Sequence, residues 1–146
     1  MKTQHNQVKE FHETFRHPIA RAPILPDMSE KVLRYKMLTE EVNELYAACS
    51  DVEYADAIVD ILYVVLGAAV SAGISGEQIE AAFAEVHRSN MSKLWTWKEI
   101  VDHMPEDYLF VKVQPDLFTV RNQAGKFVKP LSYSPPNLAP ILEGVK

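Results

Sequence analysis

Helical periodicity runs along the chain to about residue 94, and shorter apolar stretches broken by prolines follow it. Thr3 to Arg16 sets Val8, Phe11 and Phe15 on one face, which predicts an amphipathic helix. His17 to Asp27 holds three prolines and predicts a loop. Asp27 with Glu30 forms a capping box for a helix from near Met28 to about Cys49, with Tyr35, Leu38, Val42, Leu45 and Cys49 as its apolar stripe. Ser50 with Glu53 opens another helix, which Gly73 stops after about Ala72. Its stripe is Ile58, Ile61, Val65, Ala68 and Ala72. Ser75 with Gln78 opens a helix to about Lys93, with Ile79, Phe83 and Val86 inside. Long amphipathic helices joined by short connections predict an antiparallel helical bundle.

Past Trp95 the pattern predicts a short helix over Trp97 to His103 and strands over Leu109 to Val113 and Phe118 to Val120. Asn122 to Gly125 is a turn, after which Phe127 and Val128 pair back as a hairpin. Pro130 to Pro140 is extended and proline-rich and wraps over the bundle. The expected fold is mainly α. It is an antiparallel helical bundle (residues 1–94) with a C-terminal extension (95–146) packed on the same domain, containing a small β-hairpin and a proline-rich tail.

Composition narrows the function classes. A chain of 146 residues builds one domain with a real core. Apolar residues at 47% and charged ones at 24% are ordinary globular values. A net charge of -5 argues against a nucleic-acid partner. Cys49 is the single cysteine, so no internal disulfide forms, and a reducing cytoplasmic location is expected. The N-terminus lacks the apolar region of a signal peptide. The longest apolar run, Ile61 to Val70, is about half of what a membrane helix needs, so no membrane partner is expected.

Acids carry the chemical signal. Glu40, Glu41 and Glu44 sit on one predicted helix, with no lysine or arginine three or four residues later to compensate them. The next helix carries Asp56 and Asp60, four apart, beside the most apolar run of the chain. Folding the pair antiparallel about Ser50 and Asp51 sets Glu41 level with Asp60 and Glu44 level with residues 56 to 57. A run of acids on a helix is most often a solvated face. Convergence inside a bundle instead requires cations, because ionised carboxylates cannot share such a place unpaired. An all-oxygen set suits Mg²⁺, with Mn²⁺ as an alternative, and disfavours zinc. No Glu-x-x-His pair occurs, which argues against a di-iron centre. Carboxylate-held Mg²⁺ points to phosphoryl chemistry.

Thr39-Glu-Glu-Val-Asn-Glu-Leu45, Asp56-Ala-Ile-Val-Asp-Ile-Leu-Tyr-Val64 and Val86-His-Arg-Ser-Asn-Met-Ser-Lys93, in that order, resemble the MazG-like all-α nucleoside triphosphate pyrophosphatase superfamily. The likeness is nearest to its phosphoribosyl-ATP pyrophosphohydrolase-like (HisE-like) branch. Ala124-Gly-Lys-Phe-Val-Lys-Pro130 and Tyr133-Ser-Pro-Pro-Asn137 look like a tail of that branch. The resemblance spans roughly residues 8 to 94 and 122 to 142. It implies Mg²⁺-dependent cleavage of a nucleoside triphosphate between the α and β phosphates, giving a monophosphate and pyrophosphate. The role would be cleansing of the nucleotide pool.

Carried over residue by residue, Glu41, Glu44 and Asp60 are metal ligands, and Glu40 is a further ligand or orients the attacking water. The resemblance expects an acid at position 57, where this chain has Ala57. Asp56 is the substitute, with Glu53 in reserve. Arg88, Asn90 and Lys93 match positions near the substrate; a basic, solvated helix end is the plainer reading. Arg34 reaches phosphate or pairs with an acid, Tyr63 stacks or donates a hydrogen bond, and Lys126, Lys129 and Tyr133 close over the substrate from the tail, or the tail only wraps the domain as a linker. Trp95 and Trp97 are candidates for a subunit contact. The resemblance also implies a bundle completed by oligomerisation, as a homodimer or homotetramer. Two rivals stand beside this reading: hydrolysis of phosphoribosyl-ATP, and a non-catalytic helical module that binds nucleotides or a partner, with Ala57 as the lesion.

Overall fold

The computed structural model describes residues 1–143. The chain divides into two compact units, Met1–Ala81 with the segment from Ala139, and Ala82–Leu138.

The first unit is built from α1 (Lys2–Phe15), α2 (Met28–Ala47), α3 (Asp51–Ser71), the start of α4 (Gly76–Met91) and the short C-terminal α6 (Ala139–Glu143). Local chemistry sets the helix starts. The Asp27 carboxylate accepts from the Glu30 amide at 2.9 Å, and the Ser50 hydroxyl accepts from the Glu53 amide at 3.2 Å. Ser75 and Gln78 cap each other reciprocally, at 2.9 and 3.2 Å. Gly73, at φ 69°, ends α3, and a Cβ there would stand 2.2 Å from the Ala22 carbonyl oxygen, so only glycine fits under the loop. The Ile24 amide donates to the Ala72 carbonyl at 2.9 Å and holds that loop in place.

The helices form as expected, but their buried faces differ. α1 buries His5, Val8 and His12; Phe11 and Phe15 stack on each other at 4.4 Å in more exposed positions. The apolar core of this unit is Val8, Leu66 and Val70, with Ile79 packed against it. α2 buries only Arg34, while Tyr35 and Val42 of its predicted stripe are 70% and 51% exposed. α3 is split along its length: its second half is enclosed through Leu66, Gly67, Ala69, Val70 and Ser71, whereas Ile58 and Val65 remain exposed. Phe83 and Val86 of α4 are exposed as well. A stripe read from periodicity names the residues that avoid water; it does not say which chain covers them. By length and composition alone α3 is also long and apolar enough to cross a membrane.

The second unit holds the rest of α4, β1 (Trp95–Thr96), α5 (Trp97–His103), β2 (Leu109–Gln114), β3 (Leu117–Arg121) and the tail to Leu138. The antiparallel sheet has the order β1-β3-β2, with Trp95 opposite Phe118 and Leu109 opposite Arg121. Trp95, Ile100, Phe118 and Val120 form its core. The hairpin therefore joins β2 to β3, through Asp116 at φ 58°. Phe127 makes only a single bridge to Arg121, and the Val128 amide donates to the Val120 carbonyl at 2.9 Å. β1 has no counterpart in the sequence pattern, because two residues are too few to show a period. Trp95 is a core residue, its indole donating to the Val128 carbonyl at 2.9 Å, while Trp97 is half-exposed against Phe110 and Phe118.

Candidate active site

The acids of the first unit are gathered where α2 packs against α3. The Glu41 carboxyl is pushed above its ordinary range, first by partial loss of solvent and then by the negative charges of Glu44, Asp60, Glu40 and Asp56. Both arms of the pair thus reach the same carboxyl. Glu41 and Asp60 are half-buried; Glu40, Glu44 and Asp56 are exposed. Glu44, Glu53 and Asp56 share a hollow of about 240 Å³ with Ala47 and Ala48. Glu53 is occupied at the helix start, where its carboxylate accepts from the Cys49 amide at 2.8 Å. Ala57 is buried, at 3% exposure, so an acid there would point away from solvent.

Whether this set suits a divalent ion is decided by its chemistry and freedom. Among the described residues no three carboxylate, imidazole or thiolate groups converge closely enough, as they lie, to hold one ion. The donors are nonetheless all oxygen, and three of them, Glu40, Glu44 and Asp56, are on exposed side chains. Oxygen donors of this kind are the chemical type that Mg²⁺ takes, one or two carboxylates with other positions kept for water and phosphate oxygens.

Arg34 lies elsewhere. It is 8% exposed, its Nε donates to Glu30 at 2.8 Å and its Nη2 to the Ser71 hydroxyl at 2.7 Å. Nη2 also lies 3.4 Å from His12 Nε2, and His12 Nδ1 donates to the Pro18 carbonyl at 2.9 Å. Burial pushes the His12 pKa down, and the neighbouring Arg34 adds to that, against the bond to Pro18. Burial raises the Glu30 carboxyl, but hydrogen bonding to Ser71 and Arg34 outweighs it and leaves a net lowering. This network joins α1, α2 and α3. Its one sequence signal was the four-residue spacing of Glu30 and Arg34; His12 and Ser71 are distant in sequence. Tyr63 packs edge-on against Phe11 at 5.7 Å.

The basic candidates belong to the second unit. Arg88 makes two bonds of 2.8 Å to Glu85 and donates to the Pro135 carbonyl at 3.1 Å. Its guanidinium and the Asn137 amide draw the Glu85 carboxyl down to about 2. Lys93 donates to Asn90 at 2.7 Å. Lys129 stands over the Tyr133 ring at 4.1 Å, and Lys126 is exposed in the turn whose Asn122 caps it. The contacts of Glu85 and Ser89 with the tail were not expected from sequence.

The pattern of the phosphoribosyl-ATP pyrophosphohydrolase family matches residues 8–90, which include every acid named above. No curated protein matches the chain. The match covers more than half of the chain. The chain belongs to the phosphoribosyl-ATP pyrophosphohydrolase family, within the MazG-like and HisE-like all-α nucleoside triphosphate pyrophosphatases.

Proposed function

We propose that the protein is a Mg²⁺-dependent pyrophosphohydrolase that cleaves a (d)NTP between its α and β phosphates, giving the (d)NMP and pyrophosphate and cleansing the nucleotide pool. The observation that carries this reading is the raised Glu41 carboxyl, lifted first by partial loss of solvent and then by acids of both α2 and α3, inside the family match. Glu41, Glu44, Asp56 and Asp60 would hold the ion; Mn²⁺ would serve in its place. When bound, Mg²⁺ neutralises phosphate charge and polarises the scissile linkage. Glu40 orients the attacking water and accepts its proton. Water adds to the α phosphorus, the bond from that phosphorus to the bridging oxygen breaks, and pyrophosphate leaves with the electron pair. Arg88, Asn90, Lys93, Lys126 and Lys129 are proposed as contacts to phosphate or sugar on their chemistry. The family match favours phosphoribosyl-ATP as a second substrate reading, and the same bond is cleaved in either case.

A homodimer or homotetramer is part of the proposal. Val52, Val59 and Leu62 of α3 are 74%, 57% and 49% exposed, and Val42 and Tyr46 of α2 are 51% and 93% exposed. A second copy would remove this apolar surface from water through a symmetric contact. The exposed free thiol of Cys49 suits a reducing cytoplasm.

The deciding experiment measures pyrophosphate and phosphate separately across canonical nucleotides and phosphoribosyl-ATP, with and without Mg²⁺. Pyrophosphate alone should appear, only with the ion, and Glu44→Ala and Asp60→Ala should abolish it while remaining folded. Unchanged turnover in both variants removes the assignment.

A further inference from the structure

The end of α3 away from the acids opens on a cavity of about 360 Å³, a volume in the range of small-molecule sites. α1, the loop that follows it and the turn from α3 to α4 enclose it, all within the first unit. Val70 on its wall stands about 15 Å along the helix from Asp60, at a rise of about 1.5 Å per residue, so the cavity is separate from the acidic hollow.

Its lining carries positive charge without a counter-charge. Lys9 of α1 and Arg21 of the loop line it, and among the described residues no acid does. Arg21 takes part in no ion pair among the described residues, and Lys9 reaches only Glu13, at 3.8 Å, the longest of their ion pairs. α4 starts at Gly76, directly after Ser75 on the wall, so the positive end of its dipole adds to the same field. Ile19, Val70 and Ile74 supply apolar surface beside these charges.

The backbone that carries both cations is held in place. His5, another wall residue, donates from Nε2 to the Ile74 carbonyl at 2.9 Å and ties α1 to the turn. The Ile24 amide bonds the Ala72 carbonyl at 2.9 Å and ties down the loop. The bond from Nε2 leaves His5 Nδ1 a bare acceptor, buried and without a partner among the described residues; such a nitrogen marks a place that a water or a ligand completes. A preformed cavity of this kind takes a ligand at little ordering cost.

We propose that this cavity is a binding site for a small organic oxyanion, a carboxylate or phosphate monoester on an apolar body, held by Lys9 and Arg21. The site needs no divalent ion and does not rest on the pyrophosphohydrolase reading. The test is a heteronuclear shift titration of the full chain, in EDTA, with benzoate, phenyl phosphate and benzyl alcohol. Benzoate or phenyl phosphate should bind and move the amides of residues 20–22 and 74–76, and the tighter of the two names the head group. Benzyl alcohol should bind at least about tenfold more weakly, and Lys9→Ala and Arg21→Ala should each weaken the anions about tenfold. Both side chains are exposed, so the variants should fold, which their amide spectra verify. The control Lys98→Ala, whose ammonium pairs with Asp102, should bind like the wild type, as should Glu44→Ala. Failure of both anions to bind overturns the inference. So do alcohol binding as tight as theirs and affinities within about twofold of wild type in both cation variants. Anion binding that appears only with Mg²⁺, or is lost in Glu44→Ala, would belong to the acidic hollow and overturn it equally.

Discussion

The guanidinium of Arg34 lies against the backbone of Gly67: a Cβ at residue 67 would stand 2.7 Å from Arg34 Nη1 and 3.2 Å from His12 Nε2. Glycine in mid-helix costs about 1 kcal/mol relative to alanine, and here the cost secures room for a buried charge. Arg34 is fixed by Glu30, Ser71 and His12, so it cannot retreat without losing partners. Gly67→Ala is expected to lower stability by about 1–2 kcal/mol despite its better helix propensity, because hydrogen bonds to charged groups contribute about 1.5–3 kcal/mol each. Urea unfolding checks this, and a stabilised variant refutes it.

His12 gives the fold a pH dependence with a definite sign. Its folded pKa lies below the ordinary value of 6.5, so the unfolded chain binds the proton more readily. Stability from this group is complete above that value and is lost as pH falls below it. Denaturant midpoints should drop as pH falls below about 6.5, and His12→Asn should flatten that slope.

Glu41 acts on ion binding. Its carboxyl is raised, by desolvation and then by four neighbouring acids, so a divalent ion must displace a proton held above the ordinary 4.5. Affinity for Mn²⁺ or Mg²⁺ is expected to rise with pH through that elevated range, and Glu41→Gln should weaken binding and remove the dependence. Calorimetry across pH measures both effects.

Ala57 tests the departure from the family pattern. Its side chain is buried, so Ala57→Glu places a carboxylate out of water at a cost of several kcal/mol when no ion is present. Saturating Mg²⁺ should recover part of the lost melting temperature, and no recovery would place position 57 outside the metal centre.

The exposed apolar side chains of α3 predict an assembly contact. Val59→Lys and Leu62→Glu, at positions 57% and 49% exposed, should leave the monomer folded while lowering the mass measured by sedimentation. Wild-type protein that sediments as a monomer would remove the contact.

Local chemistry was legible in the sequence. Asp27, Ser50 and Ser75 named their helix starts because a cap acts within three residues, and Gly73 named a stop because its backbone requires positive φ. The packing of α2 against α3 was legible too, because the turn between these two long helices is short. Tertiary structure alone decided which helix faces are covered within the subunit, and that Arg34 is buried with His12 and Ser71 rather than turned to solvent. It also laid the tail along α4 through Glu85, Ser89 and Ser92. Those outcomes depend on groups distant in sequence meeting in space, and neither periodicity nor residue spacing carries that information.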